Sequence, residues 1–200
     1  MTTETTVLPA LRQATAAAHL EIESVMRLDR LDSPASLAAA LQVFESFLSA
    51  CEPMIGRALP PGMREWFEHH RRAGWAAQDL DALHTSPLPR DAMADLAIGS
   101  AAQALGSLYV LEGSALGGRV IARHLRDAIG VTEANGGRYF GGRGEHTGAV
   151  WREFCALLDR HIADEPAARE QACAAAIDTF KALTRRLRDR LATAPAASAG

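Results

Sequence analysis

The stretch YVLEGSALGG, Tyr109–Gly118, sets Gly113, Gly117, Gly118 and Ser114 within one and a half helical turns. Both flanks, SAAQALGSL (Ser100–Leu108) and RVIARHLRDAIG (Arg119–Gly130), are patterned as helix. A glycine inside a helix costs about 1 kcal/mol against alanine, so the three together cost about 3 kcal/mol. Such a run requires something that must be met by main chain and not by side chains. Gly113 and Gly117 stand four apart and share one helix face. A close helix–helix crossing and a ligand approached by bare backbone both satisfy that spacing, and spacing alone leaves the choice open.

A second set lies in LRQATAAAHLEIE, Leu11–Glu23. His19 sits at the edge of an apolar stripe, between Thr15 and Ile22, where its imidazole could point into a cleft. The ordinary place for a lone helical histidine is the surface. Arg12 stands seven residues earlier on the same face, two turns and about 10 Å up the axis. Other chemistries are poorly provided for. Cys51, Cys155 and Cys173 are scattered among apolar helix residues, form no CxxC pair and read as inert core thiols in a reducing cytoplasm. No Glu-x-x-His motif is present for a di-iron site, Glu68-His69-His70 places its members on different faces, and His161 with Glu165 reads as a solvated pair. No dinucleotide or flavin fingerprint appears.

The elements that must position these residues are helices. The chain has 200 residues, 48% of them hydrophobic but only 6% aromatic, which suffices for one core and leaves no alternating β-branched segments for a sheet. A net charge of −3 gives no reason to expect nucleic acid or an anionic membrane as partner. No secretory leader is visible and no run approaches a membrane span, which predicts a cytoplasmic protein. The expected order is an extension over 1–7, a domain over 8–191 and a disordered tail over 192–200. Within the domain, a first helix runs from Leu8 to Asp29 and carries Leu11, Thr15, Ala18, Ile22, Val25 and Met26 inward. Ser33 caps a second, with Pro34 at its first position and Leu37, Leu41, Phe44, Phe47, Leu48 and Ile55 facing the core; it runs to Leu59, and Pro53 should kink or break it. A third stretch, Met63–Leu83, should break near Gly74. A short helical turn is expected at Ala92–Ala97. The capping box Ser100–Gln103 starts the glycine-bearing helix, which ends near Gly130. Residues 130–148 hold seven glycines and form a loop, ordered or flexible. Helices at Gly148–Ala163 and Pro166–Leu191 complete an all-α bundle of six or seven helices.

In four segments the chain resembles the biliverdin-producing haem oxygenases, especially the bacterial branch associated with bacteriophytochromes. They are LRQATAAAHLEIE (Leu11–Glu23), similar to the proximal helix with its histidine; GSLYVLEGSALGG (Gly106–Gly118), similar to the distal helix; RYFGGRGEHTGAVWREF (Arg138–Phe154); and AAREQACAAAIDTF (Ala167–Phe180). The likeness spans residues 8–190 and implies a haem-oxygenase-like bundle with a kinked glycine-rich distal helix. It implies haem b, at once substrate and cofactor, held flat between the first helix and the glycine-bearing one. His19 would be the iron ligand, and the Gly113–Gly117 backbone would crowd the dioxygen side. Arg12 and Arg152 align with basic residues that meet haem propionates, though Arg152 equally reads as a solvated arginine at a helix start. Tyr109 and Glu112 belong to the distal motif and read equally as packing and surface positions.

The reaction so implied is haem cleavage by dioxygen and electrons to biliverdin, carbon monoxide and ferrous iron. An external electron donor, a reductase or ferredoxin, and a bacteriophytochrome apoprotein receiving biliverdin follow as partners. Two departures stand out. Ser114 occupies the place where animal enzymes carry an aspartate; a hydroxyl can hold a water but carries no negative charge near neutral pH. That swap leaves a non-enzymatic haem carrier or sensor of the same fold as the rival reading. Arg143 replaces an aromatic frequent in bacterial relatives, and nothing in the sequence explains it.

Overall fold

The computed structural model describes residues 7–89, 93 and 95–193. Of the extension expected over 1–7 and the tail expected over 192–200, residues 1–6 and 194–200 lie outside them, as do Ala92 and Ala94 of the turn expected at Ala92–Ala97. Among the described residues there are eight α-helices and no strand: α1 Leu8–Val25, α2 Pro34–Ala58, α3 Pro61–His70, α4 Ala73–Ala82, α5 Ala101–Ile129, α6 Arg138–Gly141, α7 Thr147–Ile162 and α8 Pro166–Thr193. All-α architecture is therefore what the composition led one to expect, with more pieces than its periodicity suggested.

α2 is the central helix. All six of its expected inward residues are buried, and it touches α3, α4, α5 and α8. It is long and apolar enough to cross a membrane by composition, but most of that stretch is buried inside the bundle, as in a core helix. Ser33 and Ser36 close its N-terminus as a reciprocal capping box. Pro53 does not end it: the helix continues to Ala58.

Three boundaries differ from the sequence expectation. α1 stops at Val25, and Leu28–Arg30 forms a separate 3-10 turn. Its first turn has no side-chain cap of its own; instead the amide of Val7 donates to Asp159 Oδ1 on α7 at 2.7 Å. The third stretch breaks at Arg71-Arg72, ahead of Gly74, because the buried Glu52 carboxylate accepts from the amides of Arg72 (2.7 Å) and Ala73 (3.1 Å). A carboxylate there satisfies amides that a helix start leaves free and complements its dipole. Finally, the glycine-rich connection contains the short α6. Asp79 of α4 accepts from the amides of Arg138 (2.8 Å) and Tyr139 (2.7 Å), so a buried acid pins the loop to the bundle.

α8 is the backbone of the site. Both α1 and α5 lie along it extensively, yet they scarcely touch each other. Leu11, Thr15, Ala18 and Val25 of α1 are buried in this packing, whereas Ile22 and Met26 are half-buried. The α1 stripe is thus divided between the core and a slot facing α5.

Candidate active site

The slot between α1 and α5 is a cavity of about 520 Å³, a normal size for a small-molecule site. Arg12, His19, Ile22 and Met26 line it from α1, and Gly113, Ser114, Gly117 and Val120 from α5. Val120 is 60% and Leu116 39% exposed, so the cavity presents large apolar side chains to water. Exposed apolar surface concentrated in one concave place marks a ligand site.

The glycines of α5 separate by what surrounds them. A β-carbon at Gly106 would lie 2.1 Å from the carbonyl oxygen of Ala172 on α8, and one at Gly118 would lie 2.9 Å from that of Phe140. Those two are packing glycines. At Gly113 the nearest atom is a Trp151 ring carbon at 3.6 Å, an ordinary contact, and at Gly117 nothing lies within 4 Å. No packing inside the protein requires Gly113 or Gly117, and both line the cavity. Bare main chain there is free for a ligand, so helix crossing and ligand approach each account for part of the motif.

Across the slot, the His19 side chain is 56% exposed and its ring meets that of Phe180 edge-on at 5.7 Å. Its Nδ1 stands 3.5 Å from Glu23 Oε1, one turn on. A carboxylate beside Nδ1 favours the tautomer that leaves Nε2 free to ligate, the usual outer-shell arrangement for a metal-bound histidine. Arg12 is at the same wall, exposed. Arg152 is not: it is exposed on α7, its Nη1 close to Gly148, and it is absent from the cavity lining. Tyr109 lines the cavity and packs against Trp151 at 5.8 Å between ring centres.

Ser114 is already engaged. Its hydroxyl donates to the Leu111 carbonyl at 2.7 Å and accepts from Arg72 Nη2 at 3.0 Å. The same Nη2 donates to the Leu111 carbonyl. Arg72, buried and in the cavity lining, was invisible to sequence reasoning, which left it unremarked inside the helical stretch Met63–Leu83. Its guanidinium stands 5.2 Å above the Tyr139 ring. Burial pushes the Tyr139 phenol up in pKa, with the Arg72 charge acting the other way. Glu23 was also missed, although its i,i+4 spacing from His19 was in plain view.

Arg143 acquires a physical account. It pairs with Glu112, two residues before Ser114 (Nη1 to Oε2 2.9 Å), and donates to the His70 carbonyl at 2.8 Å. Both side chains are almost fully buried, at 10% and 3% exposure. Glu112 is therefore neither a surface residue nor a simple packing one: it ties the glycine-rich loop to α5. Burial pushes the Arg143 pKa down and the Glu112 carboxylate partly restores it. Arg143→Ala should cost about 3–5 kcal/mol of unfolding free energy, because it strands a buried carboxylate. A urea melt of that variant, against an Arg143→Met/Glu112→Gln pair that recovers part of the loss, checks it.

The thiols offer no nucleophile. Burial pushes Cys155 up to about 11 and raises Cys51 and Cys173 as well. Among the described residues no three His, Cys, Asp or Glu side chains come together as a metal cluster.

Compared with known proteins, residues 5–189 match the family model described as heme oxygenase. The chain belongs to the heme oxygenase family. It is 35% identical over 144 residues to a heme oxygenase of Xanthomonas campestris pv. campestris, covering 72% of this chain and 83% of that one. Its fold is similar to the NO- and CO-bound heme oxygenase from Neisseria meningitidis (TM-score 0.78, 24% identity, 98% and 96% of the two chains). It is also similar to heme oxygenase 2 from Chlamydomonas reinhardtii without heme (TM-score 0.74, 19% identity, 96% and 100%). Family membership makes this chain a haem-degrading enzyme, and its cavity suits the substrate. A β-carbon-sized space stands open at Gly117, apolar side chains await cover, an imidazole stands on the opposite wall and a guanidinium lies at the same wall.

Proposed function

We propose that this haem oxygenase opens haem b with dioxygen and electrons to biliverdin IXα, carbon monoxide and ferrous iron. One observation carries the reading: a slot whose α1 wall offers His19 and whose α5 wall offers unobstructed main chain at Gly113 and Gly117. Bound haem supplies the redox-active iron and the ring that is opened. His19 ligates through Nε2 while Glu23 fixes its tautomer. Arg12 pairs with a propionate, a charge-assisted contact that orients the ring; Arg152, outside the cavity lining, would have to swing in to do the same. Gly113 and Gly117 keep side chains off the reacting face. Tyr109 and Trp151 wall the slot. Ser114, its own proton given to Leu111, offers a lone pair to a water and does not donate one.

Electrons come from a separate reductase or ferredoxin, and biliverdin passes to a bacteriophytochrome apoprotein. The test is turnover. Haem-loaded protein given oxygen and a reductase should replace the Soret band by a bilin spectrum, with the α isomer identified by chromatography. A persistent oxygenated spectrum without bilin would make the chain a haem carrier instead.

His19→Ala should fold as well as the parent, since the side chain is 56% exposed. Its turnover should fall by more than the 10–100-fold typical of losing an outer-shell partner. Added imidazole should restore the Soret position. Unaltered turnover would remove His19 from the ligand role.

A further inference from the structure

Arg72 is 3% exposed, and a buried cation without a counter-ion is expensive to keep. Among the described residues its guanidinium makes no ion pair. Its two side-chain hydrogen bonds, to the Leu111 carbonyl and the Ser114 hydroxyl, both leave from Nη2 and both go to neutral acceptors. The nearby carboxylates are occupied elsewhere: Glu52 takes the amides of Arg72 and Ala73 and Nε of Arg71, and Glu112 takes Arg143. Tyr139, under the guanidinium, is held neutral by burial. What remains open to Arg72 is the cavity it lines, on the wall facing His19.

We propose that Arg72 makes the α5 side of this cavity an acceptor for small monoanions that would bind haem iron from that side. The inference rests on the haem-binding reading above and adds to it a charge preference. Guanidinium N–H groups not used by Leu111 and Ser114 are the donors, and the low-polarity surroundings strengthen the attraction. Ser114 is a positioning residue in this scheme: it holds Nη2 while Nε and Nη1 are left for the ligand.

The experiment uses the full chain loaded with ferric haem, titrated with azide and, in parallel, with neutral imidazole, read from the visible spectrum. Arg72→Met should weaken azide binding about tenfold or more. Arg72→Lys should keep it within about threefold, since the charge is retained. Imidazole affinity should be nearly the same in all three. Ser114→Ala, at a solvent-exposed position, serves as a second variant: untying Nη2 should change azide affinity and leave imidazole affinity alone. Equal azide affinity in every variant that holds haem overturns the proposal and leaves the haem reading standing. Failure of the parent protein to bind haem at all would overturn both.

Discussion

Gly117→Leu should leave the protein fully folded and close it to haem. A β-carbon at Gly117 meets nothing within 4 Å, and the position is solvent-exposed in the slot, so no packing is disturbed. The helix itself gains, by about 0.5–1 kcal/mol, from losing a glycine. Haem affinity should move the opposite way, falling at least tenfold with alanine and further with leucine, which projects a side chain across the approach to the α5 backbone. The measurement pairs a thermal melt of the apoprotein with a haem titration followed at the Soret band. A leucine variant that melts no earlier but binds haem as tightly as the parent would place the substrate elsewhere. The combination is diagnostic: stability up and binding down is the signature of a residue kept small for a ligand.

Gly106→Ala should instead destabilise the fold. Its β-carbon would lie 2.1 Å from the Ala172 carbonyl oxygen, 2.8 Å from the carbonyl carbon and 2.9 Å from the α-carbon. These are backbone atoms of a neighbouring helix and cannot rotate away, so α5 and α8 must separate along their most extensive contact. Overpacking of this kind costs about 1–3 kcal/mol and more when the backbone must move, so a loss of about 3 kcal/mol is expected. Urea unfolding checks it. Haem binding by the fraction still folded should be weakened because both walls of the slot are hung on α8. A variant as stable as the parent would show that α5 and α8 can part at that crossing without cost.

These two glycines look alike in the sequence, and so does Gly118. Periodicity placed Gly113 and Gly117 on one face, but no rule of spacing says what stands opposite a face. Only the position of α8 and α6 made Gly106 and Gly118 packing positions and left Gly113 and Gly117 open. Local signals fared better. The Ser33 cap and the Ser100–Gln103 capping box formed, and the six inward residues of α2 are buried. The glycine-bearing helix also ends at Gly130, as expected, in a left-handed turn. The break in the third stretch was misplaced, and α6 went unseen, for one reason. Glu52 sets the start of α4 from 20 residues away, and Asp79 caps α6 from 59 residues away.

By itself, then, the sequence determined the helical class, the caps at Ser33 and Ser100 and the core face of α2, because these follow from interactions within about one turn of chain; His19 and Gly113/Gly117 stood out as candidates only through the resemblance of their segments to a known family. The tertiary structure alone decided that α1 and α5 stand apart on α8 to leave a slot. It also brought Arg72 beneath Ser114, paired Arg143 with Glu112 and left Arg152 at the surface. Those contacts join residues 42 and 31 positions apart. A charge buried by such a return of the chain leaves no periodic trace in the residues beside it.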